Sequence, residues 1–462
     1  MLNIDNLSEG KKLIKQKKFS KALEVLINFK HQKNFDYKVF FYLGLTYFEL
    51  NNFNESIKYY EKFLKKEPHS ISTLINLAIV KQTKGDINSA KQIYQKIIKI
   101  NKTNLRAYYG LFLLDEKNFS EEIFSILLDI EKNHELSLYD KGILNFLLSK
   151  REKKRENLKN EINYLDKFHL NIFDSNKYYN KSSQFYYNKI ASHYFDKVKI
   201  NHNKKNLIKN EYISPVFIIG LPRSGSTLVE SILTSGFQKI SSFGECHVIN
   251  VSILEQIGPK IYKDDFNLNK FNFELDLEKM NENVINKYSQ FFKNSNKKNQ
   301  LFVDKSLENF FNIEVIVNLF PKAKFLHTFR NILDSIISIY QSMLADLSWA
   351  HNIDDILEYI NNYLNIIEYF KKKYPNLILD VNLEDLSKDT EKITKEIFQF
   401  CDLTWDAQIL NFYRRKDLFS KTLSFNQIRS KVEIYNINKY KPYYSLLESY
   451  KDNYKWLNIK NI

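Results

Sequence analysis

The sequence predicts an α-helical solenoid at its amino-terminal end, followed by an α/β domain with a parallel sheet. The solenoid is predicted by a residue pattern that recurs every 34 residues, and the α/β domain by a buried strand that leads through a glycine turn into a helix. The chain has 462 residues, far more than one hydrophobic core needs, so we expect two or more independently packed units.

The composition is that of a globular protein. Hydrophobic residues make up 44% of the chain and aromatic residues 15%, which excludes a disordered chain. The only two cysteines, Cys246 and Cys401, are too few and too far apart for a disulfide framework or a cysteine-based zinc site. We therefore expect a reducing compartment.

The charge balance favours an anionic partner without identifying it. Lys and Arg number 69 against 54 Asp and Glu, giving a net charge of +15. We interpret the basic run at 150–155 as a solvated helix face rather than a nucleic-acid patch, and expect no nucleic-acid partner. The start of the sequence has no apolar leader, and no run approaches the roughly 18 apolar residues of a membrane span, so we expect a cytoplasmic protein.

The repeated pattern indicates pairs of helices. Each pair leaves an apolar face that only the next pair can bury, and small residues belong where two helices approach closely. Small residues recur every 34 positions, and so do leucines, in the series Ala22, Ser56, Ala90 and Leu43, Leu77, Leu111. This period resembles that of tetratricopeptide repeats. Phe124 continues the first series with a large side chain, so we expect the array to end near there. We place the repeat domain at 1–146 and a helical cap and connector at 147–212.

The segment VFIIGLPRSGSTLVESIL reads as a strand, a tight turn and a helix. It resembles the P-loop pattern G-x-x-x-x-G-K-[ST], in which backbone amides and a helix N-terminus surround a phosphate. Ser226 stands at the lysine position, and that lysine neutralises the β- and γ-phosphates in triphosphate-using enzymes. The turn therefore favours a less charged phosphate group. Its candidate ligands are Arg223, Ser224, Gly225, Ser226 and Thr227.

PRSGST resembles the 5′-phosphosulfate loop of sulfotransferases, which use 3′-phosphoadenosine 5′-phosphosulfate (PAPS). With its repeats, the chain resembles a tetratricopeptide-repeat sulfotransferase, a group similar in its catalytic half to the tyrosylprotein sulfotransferases. The resemblance covers roughly 213–450 of the sulfotransferase domain, which we place at 213–462. In that family an arginine ends a second strand, and a serine eight residues later joins it in holding the 3′-phosphate. Here FLHTFRNILDS supplies Arg330 and Ser338 at this spacing. The resemblance implies PAPS as donor and no metal.

Three further segments resemble parts of the family's site. LFVDKSLENF resembles the segment whose lysine lies near the transferring sulfuryl group, which maps onto Lys305; a plain surface lysine is the alternative. SSFGECHVIN resembles the Gly-Glu segment that supplies the catalytic base, which maps onto Glu245, with His247 as a competing base and a capping role as a third possibility. The tail maps Ser424 and Lys439 onto donor contacts.

These resemblances imply in-line transfer of a sulfuryl group to the hydroxyl of a peptide, a glycan or a small molecule. Arg223 and Lys305 are expected to stabilise the developing charge. The repeat surface is a candidate for binding a protein partner. Two other classes stay open: a non-catalytic repeat scaffold with a degenerate nucleotide-binding domain, and a P-loop kinase, which Ser226 disfavours.

Overall fold

The computed structural model describes residues 2–117, 119–201, 213–236, 238, 240–263, 266–292, 300–415, 418–422, 425 and 427–458. The chain divides into two compact units. The repeat unit comprises Met1–Tyr164, Lys287–Asn294 and Asp417–Asn426, and the sheet unit comprises Leu165–Asn286, Ser295–Lys416 and Gln427–Ile462. In the described part, no helix is long and apolar enough to cross a membrane.

The repeat unit is built from successive helices that pack against their neighbours in the chain. They are α1 (Leu2–Lys15), α2 (Phe19–Lys30), α3 (Val39–Glu49), α4 (Phe53–Leu64), α5 (Ile71–Lys84), α6 (Ile87–Ile100), α7 (Leu105–Leu114), α8 (Glu121–Asn133) and α9 (Leu138–Lys154). The helix α10 (Leu158–Ser175) contains the boundary between the two units.

The small residues of the repeat lie at close helix contacts, as the 34-residue period predicts. Ala22, Ser56 and Ala90 have no exposed surface. The Ser56 hydroxyl donates a hydrogen bond of 2.7 Å to the Gly44 carbonyl, which joins α4 to α3. A Cβ on Gly44 would lie 2.6 Å from the Tyr60 ring, so only glycine fits there without a shift of that ring. The prediction of a helical repeat array is confirmed.

The interpretation of 150–155 as a solvated face is wrong for part of the run. Lys150 and Glu152 are buried, and the Lys150 ammonium lies 4.4 Å from the centre of the Phe146 ring. Arg151 and Arg155 both donate to Glu121 Oε2. The long stem of a lysine can cover apolar surface while its ammonium contacts an aromatic ring, so charge in the sequence did not indicate exposure here.

The sheet unit combines helices with short strands. Its further helices are α11 (Lys177–Phe185), α12 (Ser192–Tyr194), α13 (Ser226–Leu233), α14 (Val248–Ile261), α15 (Leu277–Ser289), α16 (Ile313–Leu319), α17 (Ile332–Tyr340), α18 (Ile353–Lys373), α19 (Leu383–Lys388) and α20 (Thr390–Phe400). A π-helical turn spans Tyr186–Ala191, and 3-10 segments span Leu268–Lys270, Leu307–Asn312, Ser348–Ala350, Ala407–Arg414, Gln427–Arg429, Lys441–Tyr450 and Lys455–Asn458.

The strands form a parallel sheet. They are β1 (Lys199–Asn201), β2 (Ile213–Gly220), β3 (Ser241–Ser242), β4 (Glu274–Asp276), β5 (Gln300–Asp304), β6 (Lys324–Phe329) and β7 (Ile378–Asn382). The main sheet has the order β3-β5-β2-β6-β7 with every pairing parallel, while β1 pairs with β4. Val216, Val303, Leu326 and Val381 from four of its strands share one apolar core. The predicted α/β fold with a parallel sheet is confirmed.

Candidate active site

The candidate site residues lie at one edge of the sheet. Because all five strands run in the same direction, the loops that follow them leave from their carboxyl ends, where open α/β sheets bind ligands. The PRSGST turn follows β2, Glu245 follows β3, Lys305 follows β5 and Arg330 follows β6. The strand order thus brings together residues that are far apart in the sequence.

The turn after β2 has a backbone suited to an anion. Arg223 and Gly225 have positive φ angles of 70° and 86°, and Gly225 caps α13. Glycine has no side-chain acceptor for the first amides of the helix, so an anion would supply one. Gly220 is required by the fold, since its φ is 139° and an added Cβ would lie 2.2 Å from the Thr328 carbonyl oxygen.

The hydroxyls of the turn differ in their surroundings. Ser224 Oγ donates to the Leu221 carbonyl at 2.7 Å and lies 2.9 Å from Thr328 Oγ1. The Ser224 hydroxyl therefore stabilises the turn, and we predict that Ser224 contacts the donor through its backbone amide. Ser226 and Thr227, at the start of α13, are each 6% exposed.

Lys305 is a buried cation between two carboxylates. It is 1% exposed, and its Nζ lies 2.6 Å from Glu245 Oε1 and 3.8 Å from Glu230 Oε2. Burial alone would lower the pKa of Lys305, but the charges of Glu245 and Glu230 raise it above its ordinary value. The ammonium therefore stays protonated, and the alternative of a plain surface lysine does not hold.

Glu230 is a site residue that the sequence reasoning missed. It lies on α13, and the Ser242 hydroxyl donates to its Oε1. Burial raises the pKa of the Glu230 carboxyl, while Lys305 acts in the opposite direction. The sequence feature that could have indicated Glu230 is a glutamate within the otherwise largely apolar helix sequence LVESIL. Its pairing with Lys305 depends on the packing of α13 beside the end of β5.

Both candidate bases lie on the loop after β3. The Glu245 side chain is 43% exposed and pairs with Lys305. His247 has a side chain that is 40% exposed, and its Nδ1 lies 2.5 Å from Glu308 Oε1. The His247 amide donates to Ser306 Oγ at 2.8 Å. The structure thus places a lysine-bound carboxylate and a carboxylate-bound imidazole two residues apart in the chain.

Arg330 follows β6 and is buried among hydrogen-bonding partners. It is 6% exposed, and its Nη2 donates to the Asp334 carbonyl at 2.9 Å and its Nη1 to the Tyr435 hydroxyl at 3.1 Å. Its Nε is buried with no hydrogen-bond partner among the described residues. A buried, unpaired guanidinium nitrogen is costly unless a ligand completes it, and Arg330 is therefore suited to a phosphate.

Tyr440 lies beside three residues that are predicted to contact the donor, namely Arg330, Ser338 and Lys439. Its hydroxyl donates to Ser338 Oγ at 3.2 Å, and its ring centre lies 5.2 Å from the Arg330 guanidinium and 5.2 Å from Lys439 Nζ. Burial opposes ionisation of this phenol, yet the charges of Arg330, Lys439 and Arg223 lower its pKa. Two cations and one serine of the predicted set, Arg330, Lys439 and Ser338, therefore lie beside a single ring.

Two other tyrosines of the tail were not expected from the sequence. Asp334 is 1% exposed, and its carboxylate accepts hydrogen bonds from Tyr435 at 2.7 Å and Tyr444 at 2.5 Å. These contacts attach the tail to α17, which carries Ser338. The predicted contact at Ser424 lies outside the described residues. Within the described ranges, no group of three or more His, Cys, Asp or Glu residues is placed to hold a metal ion.

Comparisons with known proteins show which parts of the chain resemble described families. Residues 215–407 match the sulfotransferase family model, and 37–70 and 71–104 each match a tetratricopeptide repeat model. An uncharacterized protein of Aquifex aeolicus is 28% identical over 235 residues, which is 50% of this chain. The match covers 30% of that relative, so the chain spans less than a third of its length.

Two solved structures are also similar to the chain. The sulfotransferase domain of the Synechococcus PCC 7002 olefin synthase is 18% identical, with a TM-score of 0.33, and the match covers 50% of this chain and 88% of that one. Sulfotransferase STF1 from Mycobacterium tuberculosis H37Rv is 13% identical, with a TM-score of 0.32, and the match covers 68% of this chain and 93% of that one.

Proposed function

We propose that this chain, whose residues 215–407 match the sulfotransferase family model and whose residues 37–104 match tetratricopeptide repeats, transfers a sulfuryl group from PAPS to an acceptor hydroxyl. The observation that carries the proposal is the Lys305–Glu245 ion pair at the carboxyl edge of the sheet. The pair joins a cation and a proton acceptor by one hydrogen bond. Lys305 follows β5, which is the neighbour of β2 in the sheet, and β2 leads into the phosphate-type turn that lacks the P-loop lysine.

The donor would be held at its two anionic ends. The backbone of the turn, the start of α13 and the side chains of Arg223, Ser226 and Thr227 would bind the 5′-phosphate. The 3′-phosphate would be bound by Arg330, whose Nε lacks a partner in the described structure, and by Ser338. The Tyr440 ring lies beside both Arg330 and Lys439, and Tyr440 and Lys439 would contact the adenosine side of the donor. PAPS would supply the sulfuryl group and a phosphate leaving group.

The protein side chains would then act by position and charge. Glu245 takes the proton of the acceptor hydroxyl as that oxygen forms its bond to sulfur. The bond between sulfur and the 5′-phosphate oxygen breaks, and Lys305 and Arg223 stabilise the charge that develops on that oxygen. The products are a sulfate ester and adenosine 3′,5′-bisphosphate, and the proton remains on Glu245. Glu230 supports the charge of Lys305 throughout.

Glu245 is proposed as the base, and His247 is its specific alternative. The Glu245 carboxylate contacts Lys305, the lysine that would stabilise the leaving group. An acceptor that approaches Lys305 is therefore also close to the carboxylate that would take its proton. What favours His247 as the base is its fixed orientation: its Nδ1 pairs with Glu308, and this contact orients the imidazole. Variants of the two residues distinguish these roles, as set out in the Discussion.

Acceptor transfer is the test of the proposal. The full chain is incubated with sulfur-labelled PAPS and separate pools of tyrosine peptides, glycans and small hydroxyl compounds. We expect label in at least one pool with the wild-type chain and none with Lys305→Met. The control is Lys372→Met, which removes an exposed lysine that pairs with Glu368 and should leave transfer unchanged. Binding of adenosine 3′,5′-bisphosphate without transfer to any pool would support the scaffold, and phosphorylation with magnesium ATP would support the kinase.

A further inference from the structure

A short segment from the carboxy-terminal half of the chain belongs to the repeat unit. The chain leaves the sheet unit after Lys416 and returns to it at Gln427. Between these points, residues 418–422 and 425 are described, and we call them the anchor segment. They form neither helix nor strand, and Leu418, Ser420 and Phe425 are nevertheless buried. An irregular segment is buried to this extent only when another surface covers it.

Polar contacts fix the anchor segment to two helices of the array. The Ser420 amide donates a hydrogen bond of 3.3 Å to the Thr83 carbonyl, near the end of α5. Lys421 Nζ lies 3.5 Å from the Glu49 carbonyl oxygen and 3.9 Å from its Oε2, at the end of α3. The same ammonium lies 4.4 Å from the centre of the Phe48 ring. One lysine therefore contacts a carboxylate, a helix carbonyl and an aromatic face.

Two phenylalanines supply the apolar contacts. The Phe419 ring centre lies 5.0 Å from that of Phe53, the first residue of α4. Phe425 is 1% exposed and shares a core with α5 and α7 residues. That core includes Leu74, Ala78, Ala107 and Leu114. The anchor segment thus contacts α3, α4 and α5 and shares a core with α5, α6 and α7, so it touches successive helix pairs.

We propose that the repeat array is a peptide-binding surface whose ligand is the anchor segment of its own chain. The surface takes an irregular peptide with two phenylalanines six residues apart and a lysine between them. The covalent connection gives this ligand a high effective concentration, so the site is filled in cis and excludes a free peptide of the same kind. A protein partner that binds the repeat array would therefore have to use another part of the array's surface.

The anchor also bears on the donor site, in a step that rests on the proposed function. The chain that follows the anchor carries Tyr435, which accepts a hydrogen bond from Arg330, and Tyr440, whose ring centre lies 5.2 Å from the Arg330 guanidinium. Tyr435 lies ten residues after Phe425. Fixing the chain at Phe425 restricts the conformations open to this tail, which lowers the entropy lost when the tail closes on a donor.

A peptide-exchange experiment tests the binding surface. A fluorescent peptide with the sequence of residues 415–428 is titrated against the full wild-type chain and against the Phe419→Ala/Phe425→Ala double variant. We expect the double variant, whose own segment binds weakly, to bind the peptide roughly tenfold more tightly or better. A peptide with both phenylalanines replaced by alanine should bind neither chain. Equal affinity of the wild-type chain and the double variant for the native peptide would overturn the proposal.

A second variant tests the same surface without removing the phenylalanines, in case the double variant does not fold. Lys421→Glu places a negative charge opposite Glu49 and leaves both phenylalanines in place, and it should also bind the native peptide more tightly than the wild-type chain does. Lys372→Glu, at an exposed ion pair of α18, is the control and should not. Failure of Lys421→Glu to gain peptide binding, in a chain with native circular dichroism, would contradict the proposed surface.

The donor step has a separate readout. Binding of adenosine 3′,5′-bisphosphate should weaken severalfold in the double variant, and an unchanged affinity would overturn this step alone. If the wild-type chain bound no bisphosphate, the proposed function would fail, whereas the peptide titration would still decide the binding surface. The two proposals can therefore fail independently.

Discussion

Lys305 Nζ lies 2.6 Å from Glu245 Oε1, and this ion pair connects the two residues on which the proposed chemistry depends. A carboxylate that leaves a buried lysine to take a proton would leave that cation uncompensated, at a cost of several kcal/mol. In the proposed mechanism Glu230, 3.8 Å from the same ammonium, would keep the cation compensated when Glu245 turns to the acceptor. The proposed chemistry therefore uses two carboxylates with different roles.

Glu245→Gln should lower kcat by about 10²–10⁴-fold, because glutamine keeps the shape of the side chain and cannot accept the acceptor's proton. The Michaelis constant for PAPS should change little. The measurement is steady-state transfer of labelled sulfate over a range of pH. His247→Gln is the comparison, and we expect less than about a tenfold loss from it. The reverse order of these two losses would identify His247 as the base.

Glu230→Gln should change the pH dependence of the reaction. Glu230 helps to raise the pKa of Lys305, so its removal lowers that pKa, and the buried amine loses its proton at a lower pH than in the wild-type chain. The alkaline limb of the kcat/KM profile should therefore move to lower pH. Glu314→Gln, which removes a carboxylate paired with Lys373 on another helix, should leave the limb in place. A limb that moved equally in both variants would argue against a specific role for Glu230.

Arg330→Ala should weaken binding of adenosine 3′,5′-bisphosphate by roughly 10–100-fold, because each charge-assisted hydrogen bond is worth about 1.5–3 kcal/mol. Binding of AMP, which lacks the 3′-phosphate, should change much less. Calorimetric titration of both nucleotides measures the difference. Equal weakening of the two would show that Arg330 supports the structure of the site without contacting the 3′-phosphate.

Gly44→Ala should destabilise the repeat unit by about 1–3 kcal/mol, because the new methyl group overlaps the buried Tyr60 ring. Gly258→Ala is a matched control in α14, where an added Cβ meets nothing within 4 Å. Pro259 follows directly and disfavours a Cβ on a helical residue before it, which offsets the gain in helix propensity, so this change should lie within about 0.5 kcal/mol of neutral. Denaturant unfolding of the full chain measures both, and similar effects of the two substitutions would contradict the close packing assigned to Gly44.

The sequence predicted those parts of the molecule that local pattern determines. The strand at Lys324–Phe329 and the turn that ends at Gly225 follow from short runs of residues whose chemistry permits few conformations. The burial of Ala22, Ser56 and Ala90 follows from a period that only stacked helix pairs explain.

Contacts between distant residues could not be predicted in the same way. Glu230 and Lys305 meet because α13 packs beside the end of β5, and neither residue's neighbours in the sequence indicate the other. Tyr440 bonds to Ser338 across 102 positions.

The measurement that tests the central claim most directly is calorimetric binding of three nucleotides to the wild-type chain. The account predicts that adenosine 3′,5′-bisphosphate binds more tightly than AMP and more tightly than magnesium ATP, because Arg330 and Ser338 recognise the 3′-phosphate and Ser226 replaces the lysine that a triphosphate needs. Tighter binding of magnesium ATP than of the bisphosphate would contradict it.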